Sequence, residues 1–159
     1  EPNKAAGAKV TWIAPPDDKY KSLGETALTD DLYGGTTYVE SWVGWNGVDG
    51  AFILDLGEEK TFTSIESDFL HQLGGWVLLP KGGKYSVSSD NVNYTAFGSF
   101  EFPEDRDPKI KFVKGKASVD QPVKARYIKV EIEALGMCPS WHYGVGYPAW
   151  FFMDEVLVR

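Results

Sequence analysis

From Ala125 to Ile132 the chain alternates: Ile128, Val130 and Ile132 fall on one side of an extended backbone, Lys129 and Glu131 on the other. Successive side chains of a strand point to opposite faces, so this period of two predicts a half-buried β-strand. Further strands are predicted at 51–56, ended by Gly57, at 61–70 with Phe62, Ile65 and Phe69 in the core, at 109–113 and at 150–158. Tyr85-Ser86-Val87-Ser88, the Asp/Asn-rich run 89–93 and Tyr94-Thr95-Ala96-Phe97 read as a hairpin. No three-turn amphipathic helix and no internal repeat stands out. Strands at short intervals with Gly, Pro and Asn between them predict an all-β fold, a β-sandwich. Connections of unequal length favour the jelly-roll variant.

The 159 residues suffice for one domain with a sizeable core. Residues 1–26 read as a lead-in packed as a first strand, and 27–159 as the sandwich itself. The chain starts at Glu1 without Met, which reads as a processed chain or one domain of a larger protein. A net charge of −7 argues against nucleic acid and acidic membranes as partners, since both want basic patches. The Lys-rich stretch 109–116 alternates with apolar residues and reads as the solvated face of a strand. No apolar run is long enough to insert across a bilayer. Cys138 is the single cysteine, so no internal disulfide forms, and a buried thiol is expected. The connector 102–108 is polar and shows no obvious chemistry.

Six Trp are more than a core of this size needs, and Trp often marks contact surfaces. The segment 141–150 joins an aromatic, Gly-punctuated loop to the terminal strand. Flat rings stack on the apolar face of a pyranose, while His, Gln and Asn hydrogen-bond its hydroxyls. Such a loop on a rigid scaffold points to a binding module. Asp154 and Glu155 form a carboxylate pair, but strand neighbours point to opposite faces and cannot flank one glycosidic bond. No Ser-His-Asp order, phosphate loop or His/Cys cluster is present, so no catalytic residue is assigned.

In family order, Ala27-Leu28-Thr29-Asp30, Gly34-Gly35-Thr36-Thr37, a Trp-bearing stretch and Ile53-Leu54-Asp55-Leu56-Gly57 resemble the opening of a discoidin domain. Tyr85-Ser86-Val87-Ser88-Ser89-Asp90 with Tyr94 resembles its middle hairpin, Ala125-Arg126-Tyr127-Ile128-Lys129-Val130 its penultimate strand, and Asp154-Glu155-Val156 the start of its last strand. These domains, also called coagulation factor V/VIII type C domains, have a galactose-binding-domain-like jelly roll. Many bacterial ones are family 32 carbohydrate-binding modules. Phe69-Leu70-His71-Gln72 through Pro80, with Trp141-His142 through Trp150, is similar to domains appended to bacterial β-N-acetylhexosaminidases, or chitobiases.

The resemblance implies a non-catalytic module binding terminal sugars, N-acetylhexosamine or galactose-like, through loops at one end of the sandwich. The glycosidase catalytic domain would lie outside this chain, in the periplasm, at the cell surface or secreted. The candidate sugar contacts are Trp45, beside Trp42 and Asn46; His71, Gln72 and Trp76; and Trp141, His142, Tyr143 and Tyr147. Each His is either a ligand contact or a satisfied structural histidine; as ligands the two would face one pocket. The resemblance also implies a structural Ca2+ held by Asp30, Thr36, Thr37 and Glu155, which pins the first loop to the final strand. Asp30-Asp31 stands where the family usually has Asp-Gly, so Asp31 competes as the ligand. Without a basic loop or a cysteine pair, the phospholipid-binding branch is not favoured. A protein-interaction or adhesion domain, and an accessory domain that packs on the enzyme, are the alternatives.

Overall fold

The computed structural model describes residues 2–20, 28–29 and 42–159. Among them are strands β1 (Lys9–Ala14), β2 (Val43–Asn46), β3 (Gly50–His71), β4 (Gly82–Ser88), β5 (Thr95–Glu101), β6 (Lys111–Glu133) and β7 (Trp150–Val158). Short 3-10 turns occupy Asp18–Tyr20 and Leu73–Gly75. The strands pair in the order β2-β7-β3-β6-β4-β5, with β1 also on β3. All of these pairings are antiparallel.

Two strands, β3 and β6, are long enough to serve both layers of the sandwich. The first part of β3 lies between β1 (Lys9↔Asp55) and the end of β6 (Gly50↔Ile132). Its last part lies between β7 (Ile65↔Val158) and the start of β6 (His71↔Lys111). Register shifts between Asp55 and Lys60 and between Phe62 and Ser64 mark where the ladder bends from one layer into the other. The sequence predicts a strand end at Gly57 and separate strands at 109–113 and 125–132. The structure instead continues through both places. Gly57 takes φ 88°, and its N–H donates to Asp55 Oδ1 at 2.8 Å, so the glycine forms an irregularity in a continuing strand. The fold class read from the sequence, an all-β jelly-roll sandwich, is the one observed.

The core lies between the layers. Phe62, Ile65, Phe69, Ile128, Val130 and Ile132, all expected inside, are buried there with Phe52, Leu54 and Phe151. One polar group sits deep in it. The Tyr85 hydroxyl bridges Ser67 Oγ and the Gly115 carbonyl, both at 2.7 Å, and burial pushes the phenol far above its ordinary range. It therefore stays neutral, with both hydrogen-bonding roles filled. Beside it, the Phe100 ring rests where two glycines leave room. A Cβ on Gly83 or on Gly115 would stand 2.6 Å from Phe100 Cζ.

Gly115→Ala is expected to destabilise the domain by about 1–3 kcal/mol through overpacking. Thermal denaturation followed by near-UV circular dichroism checks this; an unchanged Tm would show that Phe100 is free to move aside.

Candidate functional site

Three loops converge at one end of the sandwich, and each has a local reason for its shape. β3 ends at His71, and the Leu73–Gly75 turn brings the chain back so that Gln72 bridges Val77. Trp76 closes that turn in the left-handed region, at φ 61° and ψ 28°. A bulky residue held there costs about 1–2 kcal/mol, which its surroundings offset. Its carbonyl accepts from the Trp150 N–H at 3.0 Å, its own N–H reaches the Leu73 carbonyl at 3.0 Å, and its ring lies against His142, Tyr143 and Tyr147.

The second loop, 102–110, connects β5 to β6 and forms a strap across the end of the β3–β6 ladder. Two successive Asx turns shape it: Asp105 Oδ1 accepts from the Asp107 N–H and Asp107 Oδ1 from the Lys109 N–H, each at 3.0 Å. Lys111 Nζ clamps both carboxylates, at 2.8 Å from Asp105 Oδ2 and 3.2 Å from Asp107 Oδ2. From beneath, His71 Nε2–H donates to the Asp107 carbonyl at 2.8 Å. In the neutral ring that leaves Nδ1 as an acceptor, buried and without a hydrogen-bond partner among the described residues. The strap also holds Trp141: the indole N–H donates to Glu104, whose other oxygen accepts from Arg106 Nε at 3.0 Å. The Arg106 guanidinium lies 5.3 Å from the Trp141 ring centroid.

The third loop, 136–149, is pinched at its neck by Cys138 N–H to Tyr147 O (2.8 Å) and Ala149 N–H to Gly136 O (2.9 Å). His142 is its internal post. Nε2–H donates to the Leu73 carbonyl at 2.8 Å, and Nδ1 accepts from the Gly144 N–H at 2.9 Å. Gly144 is needed here because a Cβ would lie 3.0 Å from His142 Nδ1 and 3.1 Å from the Trp76 ring.

Between the strap and the third loop lies a cleft of about 140 Å³. Leu78, Leu79, Phe102 and Leu135 form its apolar walls, and His71, Glu104, Asp105 and Trp141 supply its polar edge. Hydrogen bonds from Trp141 and Arg106 hold Glu104 below the usual carboxylate range. The Lys111 ammonium and the Asp107 N–H do the same for Asp105. Both are anionic and already engaged at neutral pH. Neither is the protonated acid that glycoside hydrolysis requires.

The predicted sugar contacts divide among three places. His71 and Trp141 line the cleft. Trp76, Tyr143 and Tyr147 group together outside it, with Tyr143 and Tyr147 strongly exposed. His142 is buried with both nitrogens occupied, so the two histidines do not face one pocket; Gln72, half-buried, does not line the cleft either. Trp45 is a correction. It is 0% exposed, stacks on Phe151 at 4.8 Å and donates to the Ala14 carbonyl at 3.0 Å, so it belongs to the core. Trp42 is buried as well. Conversely, the 102–108 connector, read as showing no obvious chemistry, supplies Glu104 and Asp105, and Lys111, in the stretch 109–116, does more than present a solvated face. Two Asp spaced by one residue before a Lys were the available signal. Cys138 is buried as expected, and burial pushes its thiol up.

Of the residues expected to hold calcium, Asp30, Thr36 and Thr37 lie outside the described residues, as does Asp31. Glu155, on β7, is completely buried. The first loop does reach that strand: the Leu28 carbonyl accepts from the Val156 N–H at 2.9 Å. Among the described residues no three His, Cys, Asp or Glu side chains gather around a common point.

The family described as F5/8 type C domain matches residues 14–151. No curated protein matches the chain. Among solved structures, the chain is similar to CBM32-1 from a family 31 glycoside hydrolase of Clostridium perfringens. The two are 18% identical with a TM-score of 0.57, over 96% of this chain and 93% of that one. It is also similar to a fucolectin from striped bass serum (Morone saxatilis), with 15% identity, TM-score 0.63 and 98% and 47% coverage. A Ruminococcus gnavus GH29 fucosidase in complex with fucose matches 99% of this chain with 16% identity and TM-score 0.62, but the chain spans only 26% of that enzyme.

The strap sets a pH expectation. Carboxylates with depressed pKa values contribute fully above the ordinary carboxylate range, and that contribution is lost as pH falls through the lower folded values. Lys111 is raised, so its contribution is lost only above the ordinary lysine range. The Trp141 indole N–H resonance should therefore hold steady from about pH 9 to pH 5 and move only below about pH 4. Movement between pH 7 and pH 5 would mean that the strap is not latched this way.

Proposed function

The chain belongs to the F5/8 type C domain family, and we propose that it is a non-catalytic carbohydrate-binding module whose cleft takes one terminal sugar ring. The observation that carries this reading is the clamped indole of Trp141 on an otherwise apolar cleft with a polar edge. A pyranose needs a flat apolar surface for its C–H face and fixed polar groups for its hydroxyls. The cleft supplies both, and Glu104 and Arg106 fix the ring before a ligand arrives, which reduces the ordering cost. The volume, well under the roughly 300 Å³ of ordinary ligand pockets, suits a single ring. The names borne by similar structures, a carbohydrate-binding module and a fucolectin, point the same way.

N-acetylhexosamine and galactose-like rings are the first candidates, with a bacterial β-N-acetylhexosaminidase, periplasmic or surface-exposed, as the enzyme served. Tethering such an enzyme to its substrate raises the local concentration without any new chemistry. Few atoms are engaged, so a monosaccharide should bind with a Kd on the order of millimolar to high micromolar.

Calcium is the second element of the proposal. Glu155 stands on β7, the strand that Leu28 meets, and Leu28 lies two residues before Asp30. Hard oxygen donors of this kind suit Ca2+. Asp30, Thr36, Thr37 and Glu155 would hold it, and its part would be to tie the first loop to β7.

Titration with N-acetylglucosamine, N-acetylgalactosamine, galactose and fucose, followed by Trp fluorescence and amide NMR, tests the sugar. Saturable shifts at His71 and Trp141 are expected, with Trp141→Ala weakening binding at least about tenfold. A folded chain that none of these sugars shifts would turn the reading toward an accessory domain docked on its enzyme.

For calcium, a hundredfold excess over Kd adds about 2.7 kcal/mol, or roughly 5–10 °C in Tm for a chain of this size. Chelator should remove that increment and Glu155→Gln should abolish the response. A Tm indifferent to both calcium and chelator would eliminate the ion.

A further inference from the structure

Resting on the cleft as a one-ring site, we infer that Trp76, Tyr143 and Tyr147 form a separate aromatic platform that binds the next rings of an oligosaccharide. Its terminal ring occupies the cleft. The two surfaces are different places: none of these three residues lines the cleft, and Trp141 is not among the rings that surround Trp76.

The platform is built to present ring faces. Tyr143 is 67% exposed and Tyr147 62% exposed. Tyr143 is backed by His142, stacked at 4.5 Å with 23° between the planes, so one face is covered and the other is open. Its hydroxyl donates to the Gly74 carbonyl at 2.6 Å, which fixes the far end of the ring. Trp76 meets Tyr143 at 68° and Tyr147 at 46°, angles at which rings touch by their edges and do not hide one another's faces. The left-handed backbone of Trp76 and the missing Cβ of Gly144 allow that meeting. Strained backbone and a buried, fully bonded histidine thus support three rings that the core does not use.

The occupant follows from continuity. The Trp141 ring on the cleft lies 5.9 Å from His142, which lies 4.5 Å from Tyr143 and 6.3 Å from Trp76. Buried His142 thus packs against both the Trp141 ring on the cleft and the Tyr143 ring of the platform, which sets the two surfaces two ring contacts apart, within the span of a glycan of two or three residues. The cleft has room for one ring, so any glycan longer than one residue has to continue outside it. Aromatic faces bind the apolar faces of successive pyranoses without reading their hydroxyls closely. The cleft would set which sugar ends the chain, and the platform would reward length.

The test uses two series: N-acetylglucosamine, chitobiose and chitotriose, and galactose with N-acetyllactosamine. Each is titrated into the unaltered chain and into the Tyr143→Ala/Tyr147→Ala variant, whose altered side chains are exposed. In the series whose monosaccharide shifts His71 and Trp141, affinity should rise about tenfold with added rings, and shifts should spread to Trp76 and Tyr143. The double variant should keep the monosaccharide affinity and lose the gain. Equal affinities along the series with a silent platform, or a double variant that keeps the gain, would overturn the platform and leave the cleft standing. If no monosaccharide shifts the cleft, the reading beneath this inference fails and takes the inference with it.

Discussion

The β3–β6 ladder is the constraint on which the rest of the molecule depends. It runs from Gly50↔Ile132 to His71↔Lys111 and passes through both layers. Among the described strands, β1, β4 and β7 reach one another only through these two, so neither layer closes without the ladder. Interior contacts stiffen it: the Tyr85 hydroxyl joins Ser67 of β3 to Gly115 of β6, and Phe100 lies over the same glycine. The final pair of the ladder then delivers His71 and Lys111 side by side. His71 carries the strap by its backbone carbonyl and Lys111 carries it by its carboxylates. The cleft is thus an extension of the register, held by a rigid element although its walls are loops.

The loops bury a small apolar cluster of their own, Leu73, Leu78, Cys138 and Ala149 with Leu135 and Trp141 packed against it, and polar contacts then set their outline. Their shape comes from polar groups that find local partners: the Asx turns of the strap, the ion pairs of Lys111, and the post of His142. This division has a consequence for robustness. Substitutions in the strap would alter the cleft while leaving the sandwich intact, whereas substitutions under Phe100 would act on everything at once. Lys111 and Asp105 are each partly exposed, so their pairing is screened by water. Its worth lies in fixing Glu104 and Trp141 in place more than in global stability.

Much of the fold was legible in the sequence because strand alternation is a local signal. Ile128, Val130 and Ile132, and the 85–97 hairpin with its Asp90-centred turn, follow from residues within a few positions of one another. The misses were non-local. Gly57 reads as a stop, yet the strand continues because β6 supplies partners on the far side of the irregularity. Trp45 and Trp141 both sit beside Gly or polar residues, and nothing local separates them. Phe151, about a hundred positions away, buries the first, and Glu104 at the surface holds the second. The strap reads as solvated polar chain because its partners, His71 and Trp141, arrive only when three distant loops meet.

The two histidines show how residue type and residue role come apart. Each donates its Nε2–H to a backbone carbonyl of another loop, His71 to Asp107 and His142 to Leu73. The difference lies in the second nitrogen. In His142 it is filled by the Gly144 N–H, so the ring has no hydrogen-bonding capacity left for a ligand and can act only by supporting Tyr143 and Trp76. In His71 it has no partner among the described residues, although the ring lines a cleft whose edge also carries Lys81, Glu104 and Asp105. A buried acceptor without a donor is costly, and natural folds retain few of them. The molecule therefore spends one histidine entirely on architecture, while in the other no donor among the described residues fills the second, buried nitrogen.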